Sequence, residues 1–209
     1  TNLSGLFVAG EDAGGVHGAN RLGGNGVAES TVFGSRAGDA MAEYVQGRSQ
    51  PSYSRSLVEA KIEELVRPLS LDGKENIYAI RSEIESLMWD KVGLVRDGNE
   101  MEEVLHTLDE LSERHKQSSA PPIREYNLAW QEWLNVGSIL TVAKLTCLSA
   151  LARKESRGSH YRSDYPERDD RATLSNILAQ SAEDEAPHVW NERVRFTRMS
   201  GDTAGTRSS

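Results

Sequence analysis

The chain has 209 residues, 37 % hydrophobic and 27 % charged, with a formal net charge of −8. These proportions are those of a soluble globular protein with one large or two small domains. Acids and bases interspersed along an acidic chain exclude a general nucleic-acid binder, which needs a basic face.

The opening TNLSGLFVAG carries no initiator Met, basic region or signal-peptide core, so it reads as entry in mid-domain. Leu6, Phe7, Val8 and Ala9 form an apolar run ending at Gly10, which predicts a buried strand. Residues 5–48 hold most of the 18 glycines. From Asn25 onward Val27, Val32, Ala37, Ala40, Met41 and Tyr44 recur at helical spacing, predicting a helix to about Val45 that Gly47 stops. GRSQPSYS (47–54) is a linker by composition.

Beyond the linker the pattern becomes helical. Leu57, Val58, Ile62, Leu65 and Val66 make one apolar stripe, closed by Pro68. Ile77, Ile80, Ile84, Leu87 and Met88 make a second, and Met101, Val104, Leu105, Leu108 and Leu111 a third, ended by SSAPP (118–122). A long fourth helix over about 125–155 carries Leu128, Trp130, Trp133, Leu134, Ile139, Leu140, Ala143 and Leu148. Stripes of this kind with short links predict an antiparallel bundle, and their expected role is core packing. VGSILTVAKLTCLSALA (136–152) has Lys144 at its middle and shorter apolar runs than the ~20 residues of a membrane span, so it reads as a buried bundle helix. The single cysteine, Cys147, lies within it; it excludes an internal disulfide and reads as inert core. In the tail, SRGSHYRSDYPERDDR (156–171) is dense in Arg, Asp and aromatic residues. ATLSNILAQ and HVWNERVRFTR predict a small hairpin, and the end after Met199 is expected to be disordered.

The glycine-rich segment offers three chemical elements. Glycines let backbone amides approach a ligand closely, amides at a helix start carry partial positive charge, and Arg21 presents a planar fork suited to a carboxylate or phosphate. Glu11, directly after the apolar run, is placed to accept hydrogen bonds from a sugar or polyol. Together these describe a site for a polar cofactor and an anionic substrate. Tight turns and a solvated arginine use the same residue types, so the residues alone leave both readings open.

GLFVAGEDAGGVHGANRLGGNGVAESTVFGSRAG (5–38) resembles the closing segment of the FAD domain in the succinate dehydrogenase and fumarate reductase flavoproteins. ALARKESRGSHYRSDYPERDD (150–170) resembles that family's C-terminal signature, and LMWDKVGLVRD (87–97) the stretch between its second and third bundle helices. The resemblance covers roughly residues 5–199.

It implies a mainly α fold: the truncated end of an α/β FAD-binding domain (1–48), an antiparallel three- to four-helix, spectrin-repeat-like bundle (49–155), and an irregular or hairpin extension (156–209). It implies FAD as cofactor, with Glu11 on its ribityl or ribose hydroxyls and the Gly26 and Val27 amides at the pyrimidine end of the flavin. Arg21 matches the arginine that clamps a substrate carboxylate, Gly24 lies where the family touches substrate, and His17 is expected to orient the loop. The Gly-Val pair stands where the family commonly has Ser-Leu, and the loop from Glu11 to Arg21 is one residue shorter than in the mitochondrial type. The implied substrate is a C4-dicarboxylate, which makes Arg21 an arginine without a protein counterion. The implied partners are a membrane anchor and an iron–sulfur subunit, with the protein cytoplasmic and peripheral at the inner face of the membrane. There is no GxGxxG heading a βαβ unit, so the sequence predicts weak or no FAD binding by the chain alone. L-Aspartate oxidase shares the HGANR loop and an ESRG-type tail, but Arg162 and ERDD favour the dehydrogenase type. A non-catalytic helical interaction module is the third alternative.

Overall fold

The computed structural model describes residues 1–170, 174–182 and 185–196. The chain divides into two compact units, Thr1–Glu63 and the part from Glu64 onward.

In the first unit a 3₁₀ turn, Gly10–Asp12, leads through a loop to helix α1, Asn25–Val45. The helix ends where its period ends, with Gly47 just past it. Leu6 to Ala9 form no strand, and Leu6 and Val8 are exposed. A strand exists only where a neighbour takes its amides and carbonyls, and the described strands both lie in the second unit. This segment instead leans on the far end of α1: Phe7 meets Tyr44 edge-on at 5.5 Å, and Ser4 Oγ and the Tyr44 hydroxyl share a hydrogen bond of 2.8 Å.

Helix α2, Arg55–Val66, forms as its spacing requires, but Leu57, Val58 and Ile62 are exposed and none of its residues is buried. The expectation that this stripe packs into the core is therefore not met. The bundle closes with α3 (Ile77–Val92), α4 (Gly98–Gln117) and α5 (Leu128–Ala152), whose apolar faces are spent on one another. Each of these helices starts at a side-chain cap: Asn76 accepts from the Tyr78 amide, Asp97 from Asn99 and Asn127 from Trp130, all at 3.0 Å. Cross-helix pairs give the antiparallel course. Lys91 meets Glu103 and Arg114 meets Glu83 between α3 and α4, while Lys144 meets Asp109 between α5 and α4.

The core is built from Ile80 and Ile84 on α3, Met101, Val104, Leu108 and Leu111 on α4, and Val136, Leu140 and Cys147 on α5. By length and composition α5 would suffice to cross a membrane, but it packs as a bundle helix with Val136, Leu140, Ala143, Cys147 and Ala150 turned inward. Cys147 Sγ donates to the Met101 carbonyl at 3.2 Å, and burial pushes its thiol up to about 11, as inert core requires. Truncating Leu108 to Ala removes a fully buried side chain and is expected to cost about 2–5 kcal/mol, measured by urea unfolding.

His115 stacks on Trp133 with ring centroids 4.4 Å apart, and burial pushes its ionisation below the ordinary histidine value. Burial does the same to His160. Between the lowered and the ordinary value the unfolded chain binds protons that the folded chain does not, so stability falls as pH drops. The urea midpoint should therefore decline as pH is lowered through about 6.5; a flat profile there would contradict neutral burial of these rings.

After α5, β1 (Ser175–Ala182) and β2 (Glu185–Arg193) pair antiparallel with Ser175 opposite Arg193, so the hairpin forms as the sequence suggests. The end after Met199, expected to be disordered, lies outside the described residues.

Candidate functional site

The 3₁₀ turn at Gly10 presents Glu11, and the glycine-rich loop of residues 13–24 returns the chain to the start of α1. Gly24 is the N-cap residue with φ 84°, a left-handed conformation that glycine takes without steric cost, and no side chain caps the helix. The Asn25 amide donates to the Leu22 carbonyl at 3.3 Å, whereas the Gly26 and Val27 amides have no side-chain cap and lie at the positive end of the helix dipole.

Glu11, Arg21, Gly24, Gly26 and Val27, the residues singled out from the sequence, all line one cleft of about 450 Å³, together with Gly23, Ser30 and Thr31. Arg21 lies across the helix start: a Cβ added at Gly26 would stand 2.5 Å from Arg21 Nη1. The absent side chain of Gly26 thus leaves room for the guanidinium where it lies. The donor set of helix amides and a guanidinium fits a polar, electron-rich ring edge and a carboxylate, so the residues present suit a flavin edge with an anion beside it.

One expectation is overturned. Arg21 is not buried without a counterion: its Nη1 meets Glu11 Oε1 at 2.5 Å, with the two side chains 47 % and 72 % exposed. The turn of the loop brings the two opposite charges together at the mouth of the cleft. An exposed pair of this kind contributes only about 0–1 kcal/mol, so exchanging Glu11 for another carboxylate costs Arg21 little.

His17, expected to orient the loop, meets a residue that sequence reasoning missed. Its Nε2 lies at hydrogen-bond distance, 2.5 Å, from Glu29 Oε2, and the Glu29 side chain is only 4 % exposed. An acid within the apolar stripe of α1 was the available signal. Ser30 and Thr31 of the cleft wall were missed as well, being ordinary residues of a helix face.

The charged tail segment is a second polar concentration, but it is internal. Arg162 is 1 % exposed; its Nη1 donates to the carbonyls of Ala150, Leu151 and Arg153, and its Nε and Nη2 grip Asp164. It closes the C-terminal end of α5, where carbonyls lack helical partners. Glu155, fully buried, takes Arg153, Arg157 and the Asp169 amide. Among the described residues no cluster of His, Cys, Asp and Glu is placed to hold a metal ion.

Residues 81–207 match the family model described as fumarate reductase flavoprotein C-term, and residues 1–27 match one described as FAD binding domain. A fumarate reductase (CoM/CoB) subunit of Methanothermobacter marburgensis is 41 % identical over 167 residues, 80 % of this chain and 30 % of that protein. The fumarate reductase flavoprotein subunit of Helicobacter pylori is 38 % identical over 95 % of this chain and 29 % of its own length. Among solved structures, the Mycobacterium smegmatis Sdh1 complex in its apo form has a chain that is 32 % identical with a TM-score of 0.87, over 93 % of this chain and 34 % of that one. The chain spans about a third of the length of the relatives it matches.

Proposed function

Because the chain belongs to the fumarate reductase and succinate dehydrogenase flavoprotein family, we propose that it is part of an FAD-dependent oxidoreductase interconverting succinate and fumarate. One observation carries the reading: Glu11, Arg21, Gly24, Gly26 and Val27 converge on a single cleft at the start of α1. Residues 1–48 form the closing segment of the FAD-binding domain, 49–155 the helical domain and 156–209 the C-terminal extension.

Bound FAD supplies the hydride acceptor or donor. The chain's own residues bind and orient. Glu11 would accept hydrogen bonds from the cofactor hydroxyls, and the Gly26 and Val27 amides would donate to the flavin. Arg21 holds one carboxylate of a C4-dicarboxylate in a two-point grip, with the Gly24 backbone beside it. Exchange of the Glu11 pair for the substrate carboxylate lets this occur without leaving a bare guanidinium. The partners are membrane-anchor and iron–sulfur subunits, through which the protein sits peripherally at the inner face of the cell membrane. A solved relative, 33 % identical over 95 % of this chain, is a quinol–fumarate reductase with menaquinol molecules, which supports that assembly for this chain.

The test is to purify the full-length flavoprotein with its associated subunits and measure flavin, iron, succinate oxidation and fumarate reduction. Dicarboxylate-linked turnover with iron present is expected. An iron-free enzyme that oxidises L-aspartate with oxygen would transfer the site to the aspartate oxidase reading. The 209-residue chain alone should bind FAD weakly or not at all in a fluorescence titration; a stable yellow holoprotein would contradict the domain assignment.

A further inference from the structure

The loop of residues 13–24 has to present Arg21 at a fixed place, yet it is rich in glycine, the residue with the most backbone freedom to lose. The Arg21–Glu11 pair is too exposed to hold it. His17 makes a contact from the loop to a buried residue: its Nε2 meets Glu29 Oε2.

Glu29 is the one buried residue of α1, and its second oxygen, Oε1, is buried with no hydrogen-bond partner. A buried polar atom left unsatisfied is costly, and an apolar side chain of similar volume would pack the helix without that cost. The hydrogen bond that Glu29 does make goes to His17. We infer that Glu29 is a positioning residue: through His17 it holds the glycine loop, and with it Arg21, against the start of α1.

The geometry supports this in two further ways. Glu29 stands about one turn beyond Gly26, and its neighbours Ser30 and Thr31 line the cleft. The cleft wall and the loop's anchor therefore belong to one helix and move together. His17 also lies between Glu11 and Arg21 along the loop, so pinning it shortens both free segments of chain.

The inference rests on the site proposed above, and its test is chosen to fail independently of it. In the full-length flavoprotein, amide hydrogen exchange is followed in His17→Ala, Glu29→Ala, the double variant and Glu29→Gln. Each alanine variant is expected to speed exchange over residues 13–24 about tenfold or more while residues 30–45 of α1 stay protected. The double variant should be no faster than the faster single one, because both remove the same contact. Glu29→Gln, which keeps the size and an acceptor oxygen, should stay near wild type. Where Arg21→Ala raises the KM for dicarboxylate, Glu29→Ala should raise it too and Glu29→Gln should not. Unchanged exchange over 13–24, additive effects in the double variant, or exchange rising along the whole of α1 would each overturn the inference. Exchange needs no substrate, so a site reading lost through an inert Arg21→Ala leaves this result decisive on its own.

Discussion

Arg21→Ala in the full-length flavoprotein should lower succinate- and fumarate-linked turnover by more than about 100-fold while flavin content stays near wild type. The guanidinium offers two parallel donors to one carboxylate, and its place is set by the cleft: it lies over Gly26, in a first turn of α1 that no side chain caps. Arg21→Lys replaces the fork by a compact single charge. It should leave binding partly intact but misplace the dicarboxylate, and a displacement of ~1 Å costs on the order of 100-fold in rate. Alanine should lose more, because the carboxylate then enters a partly desolvated cleft with no partner. Stability should barely change in either variant, since the pair with Glu11 is exposed on both sides. Turnover is measured beside flavin absorbance and the thermal midpoint. Near-normal turnover in Arg21→Ala would remove Arg21 from the site.

Arg162→Ala should be the most damaging single change to the second unit, costing about 3–5 kcal/mol in urea unfolding. The side chain is fully buried and serves two ends at once: it satisfies carbonyls at the end of α5 and pairs with Asp164 through two nitrogens. Its removal leaves those carbonyls and a carboxylate without their donor. Arg162→Met refills the volume but supplies no donor, so it should recover little. Asp164→Asn should be milder, because that side chain is 30 % exposed. The Arg162 hydrogen bonds hold the Asp164 carboxyl below the usual aspartate range. A group lowered in the folded state stabilises it above the ordinary value, and that contribution is lost as pH falls through the lowered one. In Arg162→Met this acid-side contribution should disappear. A loss below about 1 kcal/mol in Arg162→Ala would show that water replaces the guanidinium freely.

Helices α1 and α3 to α5 were legible in the sequence because their causes are local. A 3.6-residue apolar period acts within a turn or two of chain, and so do the stops at Gly47 after α1 and at the proline-containing link after α4. The cleft residues were legible for a similar reason: Glu11, Arg21, Gly24, Gly26 and Val27 lie within one short segment whose composition already describes a polar site. What tertiary structure alone decided depends on partners far along the chain. Leu6 to Ala9 have strand composition, yet a strand is completed by another strand, and the first unit offers none among the described residues. The α2 stripe has the right period, yet Leu57, Val58 and Ile62 are exposed. Arg162 looked like one more charge in a charged tail; it is buried because the end of α5 had carbonyls to satisfy. Arg21 looked partnerless until the loop folded Glu11 against it, and Glu29 looked like an ordinary helix acid until His17 closed over it. Spacing along the chain encodes which face a residue occupies, whereas the charge or carbonyl that meets it there is set only when separate segments pack.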